Sequence, residues 1–425
     1  MRTFNIGIIG LGTVGTGVYK VLQAFPNIKI KKTAVKNINK KRNIEGFDTN
    51  LLTDNPYDIV NNPDIDIVVE TAGGVEPVFD ILKTALKNKK HIVTANKELL
   101  AKRGSELFQI AKENNCVILY EAAAAAAIPI INAVKTILCA NKINKIAGIL
   151  NGTTNYILTQ MTEKEISYEE ALKEAQRLGY AETDPKGDVE GFDAAYKLAL
   201  LSTISFNKKV NVNKIHIEGI TKITAQDIKN AKELGYRIKL IALGQRLDDG
   251  RIDTRVHPML IPEKHLLAGV NNALNSIMLS GYPSGDLVFT GAGAGSEPTA
   301  GSVCGDILML ASNLEASVSG CPMPQSVCNH TETADQIDAG ETYNEYYIAV
   351  TADNHPGTIG FTGTVLGKNN INIASIMQKG IKSDNTAEIV VITERAKEAD
   401  VQNALKELLK SGSIKSIDSL LRVMN

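Results

Sequence analysis

Residues 4–15 read Phe4-Asn-Ile-Gly-Ile-Ile-Gly10-Leu-Gly-Thr-Val-Gly15, and the fold follows from them. Residues 4–9 form an apolar run without polar alternation, the pattern of a parallel strand buried on both faces. The run ends at Gly10. A helix is expected over 13–24, with Val14, Val18, Val21 and Leu22 on one face. Between strand and helix lie Gly10, Leu11, Gly12, Thr13, Val14 and Gly15. The first glycine permits the tight turn, the second lets backbone approach a pyrophosphate, and the third lets helix and strand pack closely. The helix N-terminus adds free N–H groups and a positive dipole. A glycine triplet alone is an ordinary turn; strand, loop and helix in this order make it a dinucleotide site.

Working outward, strands are expected at 29–35, 65–69, 91–94 and 117–120, with helices at 77–87 and 105–114. This alternation gives a doubly wound parallel sheet of Rossmann type over 1–135. After about residue 135 the rhythm changes to long helices (167–179, 189–203) and strand-rich stretches (212–220, 251–260). That marks an α+β domain over 136–320, whose last part, 291–320, is expected to pack back on the nucleotide domain. Residues 321–344 are polar and weakly patterned and read as a linker. Residues 345–425 have the order β-α-β-β-α-β, with helices at 358–368 and 396–411, a ferredoxin-like unit.

The acid that usually closes the second strand of a dinucleotide fold is missing. Val35, Lys36, Asn37, Lys40 and Arg42 stand there instead, which suits either a 2′-phosphate or a solvated basic loop. Use of NAD, NADP or both stays open. The loops Thr71-Ala72-Gly73-Gly74 and Thr94-Ala95-Asn96-Lys97 follow strands, where open α/β sheets bind ligands.

The most informative segment is 179–197, GYAETDPKGDVEGFDAAYK. Glu182, Asp184 and Asp188 are expected in a loop between helices. Asp193 and Lys197 follow at i and i+4 on one helix face. An exposed pair of this kind contributes only about 0.2–0.5 kcal/mol. Phe192, Ala195, Ala199 and Leu200 mark the helix as substantially buried, however, and a buried lysine needs acidic partners. Oxidising an alcohol with a nicotinamide requires a hydride acceptor and a group that takes the hydroxyl proton. Burial and a second lysine make a lysine a better base near neutrality, an adjacent carboxylate makes it a worse one, and the two effects compete. A carboxylate such as Glu182 suits an amino-acid ammonium.

These segments together resemble the homoserine dehydrogenase family over essentially the whole chain: GLGTVG, VVETAGG, TANK, E-x6-I-P-I, ILNGTTNYIL (149–158), the 179–197 segment and GAGAGSEPTAGSV (291–303). The resemblance implies reversible oxidation of L-homoserine to L-aspartate 4-semialdehyde with NAD or NADP. It implies Lys197 as proton donor and acceptor, with Lys97 a further active-site lysine near the cofactor. Glu182, Asp188 and Asp193 are implied in the substrate site, and the 136–320 domain in substrate binding and dimerisation. Cofactor contacts are implied at Leu11, Thr13, Val14, Thr94, Lys97 and Gly295. A sodium site is implied at Glu121 and the carbonyls of Ala124, Ala126 and Ile128. Here the chain departs from the family: residues 122–127 are all alanine where the family pattern resembles A-S/T-V-G/A-G-G, and alanine resists the positive φ that glycine allows.

The C-terminal unit resembles an ACT domain through Asp353-Asn-His-Pro-Gly357 and Ile371-Asn-Ile-Ala-Ser-Ile376. The resemblance implies threonine as an effector and pairing into a homodimer or homotetramer. His355 reads as a turn residue.

Other classes are excluded by composition. Forty-six Lys and Arg against 47 Asp and Glu give a net charge of −1, which argues against nucleic acid. The longest apolar run, 122–131, is too short to cross a bilayer. The chain enters its first strand with no room for a signal peptide, and five scattered cysteines without a C-x-x-C pair suit a reducing compartment, so a cytoplasmic protein is expected. An acylating dehydrogenase needs a nucleophilic cysteine, and neither Cys116 nor Cys139 has the setting for one. The alternative kept open is an amino-acid sensor whose dehydrogenase site is impaired by the alanine run.

Overall fold

In a computed structural model, which describes residues 2–42, 44–318, 332–381 and 383–424, the opening apolar run is strand β1 (Phe4–Ile9). It belongs to a six-stranded sheet with β2 (Ile28–Ala34), β3 (Leu52–Thr53), β4 (Ile67–Glu70), β5 (His91–Thr94) and β6 (Ile118–Leu119), in the order β3-β2-β1-β4-β5-β6. Every pairing is parallel. The order reverses direction between β1 and β4, so their carboxyl ends frame the crevice where such sheets bind ligands.

Contacts divide the chain into two units. The first comprises 1–146, 196–213 and 275–334. Its core joins Phe4, Ile6 and Ile8 of β1 and Val18 and Leu22 of helix Thr13–Leu22 to Ala300, Val303, Cys304, Ile307 and Leu310 of helix Ser296–Val318. The two helices cross at Gly17, where a Cβ would lie 2.8 Å from the Ala300 methyl and 2.9 Å from the Ser296 carbonyl oxygen.

The second unit comprises 147–195, 214–274 and 335–425. Strands Tyr236–Arg246 and Ile252–Pro262 form an antiparallel pair. The first of these follows a helix and is almost wholly buried, so its apolar run lacks the alternation that marks a strand. The strand expected over 212–220 shrinks to His216–Ile217, because an Asx turn at Asn211 (its Oδ1 accepting from the Asn213 N–H at 3.0 Å) opens a 3₁₀ turn over Val212–Lys214.

The C-terminal part has strands Tyr343–Asp353, Ile373–Ile381, Thr386–Thr393 and Ile414–Val423, with the long first strand between the third and the last. Tyr346, Ile348, Val350 and Ala352 share one face by period two. They pack on Val365 and Leu366 of helix Thr358–Lys368 and on Val401, Leu405 and Leu408 of helix Glu398–Lys410. His355 sits in the turn before the first of these helices, its Nδ1 2.9 Å from the Pro356 carbonyl oxygen.

Of the linker read over 321–344, residues 321–331 lie outside the described residues, with Cys321 and Cys328. The rest is pinned: Thr333 bridges to Lys209, Gln336 bridges to Ile252, and Ala334 and Ile337 are buried. Cys116, Cys139 and Cys304 are free thiols. Among the described residues no helix is long and apolar enough to cross a membrane.

Candidate active site

The glycine loop divides its labour as the spacing requires. Gly10 has φ +97°, and a Cβ there would lie 2.7 Å from the Ala72 amide nitrogen, so β1 and β4 meet at a glycine. A Cβ on Gly15 would strike the Gly10 carbonyl oxygen at 2.1 Å. Gly12 has no atom within 4 Å of that position and caps helix Thr13–Leu22 without any side-chain cap, leaving the helix N-terminus clear for an anion. Leu11, Thr13 and Val14 line this rim in partly or fully exposed positions. The late glycine loop adjoins it: Gly295 has φ +117°, and the next residue, Ser296, donates its Oγ–H to the Thr13 carbonyl at 2.7 Å.

At the end of β2, Lys36 and Lys40 are exposed. Arg42 differs from them, since its guanidinium turns back onto the carbonyls of Asn37 and Lys40, each at 2.8 Å. It therefore braces its own loop.

Behind the rim stands a residue that sequence reasoning missed. Glu70, at the end of β4, is fully buried. Its Oε1 accepts from the N–H groups of Ala72 (2.8 Å) and Gly73 (2.9 Å), and its Oε2 from the Thr94 hydroxyl (2.6 Å). Burial pushes this carboxyl above its usual range, against the pull of hydrogen bonds from Thr94, Gly73, Ala72 and Asn96. Asn96 extends the clamp, donating to the Gly74 carbonyl at 2.7 Å while its Oδ1 caps helix Lys97–Glu113 through the Leu99 N–H. Both post-strand loops are thus tied to one carboxylate, and Lys97 is the first residue of the helix they start, half-buried. The available signal was an acid closing a wholly apolar strand, Ile67-Val-Val-Glu70.

In the second unit, Asn151 organises the acids. It caps helix Gly152–Lys164, its Oδ1 accepting from the Thr154 N–H at 2.9 Å. Its Nδ2 donates to Asp188 Oδ1 at 2.7 Å and to Asp193 Oδ2 at 2.9 Å. Asp188 lies on the short helix Lys186–Val189, not in open loop, and Asp193 lies in the first turn of helix Phe192–Phe206. Gly191, with φ +89°, turns the chain between them. Glu182 and Asp184 are exposed on the preceding loop. Asn151 was within a quoted motif, yet its role as donor to both acids is set by long-range folding that spacing does not encode.

Lys197 follows one turn after Asp193 and is 7% exposed, so the surface-pair reading is excluded. Phe192 does not contribute to that burial, being 41% exposed; Ala194, Ala195, Leu198, Ala199 and Leu201 supply the buried face.

Glu121 is buried, and its two oxygens accept from the N–H groups of Ile131 and Asn132, each at 2.8 Å. Residues Ala122–Ala125 form a single helical turn, after which Ala126 adopts φ +47°. The Ala126 carbonyl accepts from the Ser302 hydroxyl at 2.6 Å, and the Ile128 carbonyl from the Ile130 N–H at 2.8 Å. A carbonyl oxygen has two lone pairs, so each keeps one. Carboxylate and carbonyl oxygens suit a hard cation rather than a transition metal. Among the described residues no group of three His, Cys, Asp or Glu has metal-binding geometry.

Comparison with known proteins bears on both units. The family model described as "Homoserine dehydrogenase, NAD binding domain" matches residues 10–121, that described as "Homoserine dehydrogenase" matches 129–308, and that of the ACT domain matches 346–412. A homoserine dehydrogenase of Bacillus subtilis is 39% identical over 435 residues, covering 100% of this chain and 99% of that protein. The crystal structure of a homoserine dehydrogenase from Thiobacillus denitrificans superposes with a TM-score of 0.93 at 37% identity, covering 100% of this chain and 99% of that one. A hyperthermophilic archaeal homoserine dehydrogenase in complex with NADPH is 25% identical, with a TM-score of 0.63 over 73% of this chain and 98% of its own.

Proposed function

The chain belongs to the homoserine dehydrogenase family, NAD(P)-dependent oxidoreductases acting on a CH–OH group, and from this premise we propose how its residues divide the work. The observation that carries the reading is the Asn151–Asp188–Asp193 group one helical turn before a buried lysine.

Lys197 takes the hydroxyl proton as L-homoserine is oxidised to L-aspartate 4-semialdehyde and returns it in the reverse direction. Bound NAD(P) supplies the hydride acceptor and donor. Asp188 and Asp193, fixed by Asn151, hold the substrate's ammonium and orient Lys197, and Glu182 adds a further carboxylate from the exposed loop. The pyrophosphate is held by the backbone of Gly10, Leu11, Gly12, Thr13, Val14 and Gly15. Thr94, Lys97 and Gly295 contact the remainder of the cofactor. Lys36 meets a 2′-phosphate, so NADP is accepted and NAD is not excluded. Residues 1–135 with 291–320 serve the cofactor, 136–320 the substrate and dimerisation, and 345–425 regulation.

A sodium ion held by Glu121 and the carbonyls of Ala124, Ala126 and Ile128 stabilises the turn beyond the alanine run. The ACT domain binds an amino-acid effector, threonine, and pairs the chain into a homodimer or homotetramer. The test is a steady-state assay of homoserine oxidation with NAD and with NADP, with and without sodium and threonine. Turnover with homoserine that disappears in Lys197→Ala supports the reading. Equal turnover in parent and variant removes Lys197 from its role.

A further inference from the structure

Arg422 lies on the last strand and is 2% exposed. Its guanidinium forks onto Glu398 of helix Glu398–Lys410, with Nε at 3.0 Å and Nη2 at 2.8 Å from the two carboxylate oxygens. The third donor, Nη1, leaves the ACT domain and reaches Glu218 at 2.5 Å. The Glu218 carboxylate is held from its other side by His216 Nε2 at 2.7 Å. The height of Arg422 is fixed by strand pairing: it stands opposite Met259 in a parallel ladder, and Met424 donates its N–H to the Leu260 carbonyl at 2.9 Å. A buried arginine in this position has no alternative partner in solvent, so losing one carboxylate is felt by the other.

The residues after Glu218 bear directly on the acid group. A Cβ on Gly219 would lie 2.3 Å from the Val189 carbonyl oxygen and 2.6 Å from Glu190 Cα, so the two segments touch backbone to backbone. The Ile220 N–H donates to the same Val189 carbonyl at 2.8 Å. Opposite, a Cβ on Gly191 would lie 3.1 Å from the Ile217 side chain and 3.2 Å from that of Val256. Residues 217–220 therefore form the wall against which 189–191 rest, and 189–191 are part of the connection between Asp188 and Asp193. The sequence from the ACT domain inward is Arg422, Glu218, the Gly219–Ile220 backbone, Val189, and then Asp188.

We propose that Glu218 and Arg422 are positioning residues for substrate. Their ion pair sets the wall that places Asp188 and Asp193, and it makes the C-terminal domain part of the support of the homoserine site. The inference rests on Asp188 and Asp193 being the substrate carboxylates.

The experiment uses the full chain with Glu218→Gln, Arg422→Lys, the double variant and Asp188→Asn, each checked for folding by circular dichroism and thermal melting. Glu218→Gln is the primary variant because its site is partly exposed and the amide keeps the size and one acceptor. The expected result is a rise of about fivefold in homoserine KM for Glu218→Gln and for Arg422→Lys, with kcat within about twofold and the NADP KM unchanged. The double variant should be no worse than the poorer single one, since the two act as one unit. A melting temperature that falls while homoserine KM stays at the parent value overturns the proposal in favour of a purely structural pair. If Asp188→Asn raises KM and Glu218→Gln does not, the coupling alone fails. If Asp188→Asn also leaves KM unmoved, the substrate reading fails and the inference goes with it.

Discussion

Asp188 and Asp193, on two different helices, accept hydrogen bonds from one and the same Asn151 amide, at 2.7 and 2.9 Å. A single neutral donor thus holds two carboxylates side by side, facing the position that a substrate ammonium is proposed to fill. The arrangement separates the duties of Asn151, because its oxygen caps a helix while its nitrogen serves the acids.

Asn151→Asp keeps the oxygen and loses the donor. A third buried carboxylate repels the pair, so melting is expected to fall and homoserine KM to rise about tenfold. Asn151→Ala removes both functions, so a stability loss of about 1 kcal/mol should accompany the affinity loss. An Asn151→Asp protein with parental KM would remove the amide from the substrate site.

Lys197→Ala is expected to lower kcat by about 10²–10⁴-fold, the range for loss of a general acid–base group. NADPH affinity, measured by fluorescence titration, should stay within about twofold of the parent's if Lys197 acts on the substrate's proton alone. A variant that loses cofactor binding in proportion to its rate would assign the lysine to the cofactor instead.

Ala126 has φ +47°, in the region that favours glycine, whereas Ala125 ends a helical turn and is fully buried. Ala126→Gly should therefore stabilise the protein by about 1 kcal/mol, and Ala125→Gly should destabilise it by about the same. Urea unfolding of the two variants decides the matter. Equal signs would mean that the turn is not strained at Ala126.

Lys239 is buried and donates to Asn155 Oδ1 (3.0 Å), the Val270 carbonyl (2.6 Å) and Asn271 Oδ1 (3.1 Å), and burial pushes it down to about 8 from an ordinary 10.5. Between these values the unfolded chain holds a proton that the folded chain has released, so stability from this group rises with pH. It is fully present above about pH 10.5 and is lost as pH falls through about 8, on the order of 3 kcal/mol in all. The stability difference between parent and Lys239→Gln should therefore move in the parent's favour from pH 7.5 to pH 10. A difference that stays flat would place the lysine's proton elsewhere.

The sequence made local features legible. The Gly10–Gly15 spacing made the glycine loop legible because Gly10 and Gly15 each answer a close backbone contact, while Gly12 leaves the helix N-terminus open. Lys197 was readable as buried because the alanines and leucines around it repeat with helical period, although Phe192 pointed the wrong way. Glu70 and Asn151 were not readable in their roles, since each works by joining segments far apart in the chain. Strand Tyr236–Arg246 escaped because burial on both faces erases alternation. The polar appearance of 333–337 concealed two bridges and two buried apolar side chains.

The crossing at Gly17 has a consequence for biosynthesis. The helix Thr13–Leu22 is shaped to receive Ala300, and the apolar face of β1 is completed by Val303, Ile307 and Leu310. During translation the core of β1 therefore stays incomplete until the helix beginning at Ser296 has emerged. Chaperone demand should concentrate in that interval, and chains truncated before residue 296 should be digested by protease where the full-length chain survives.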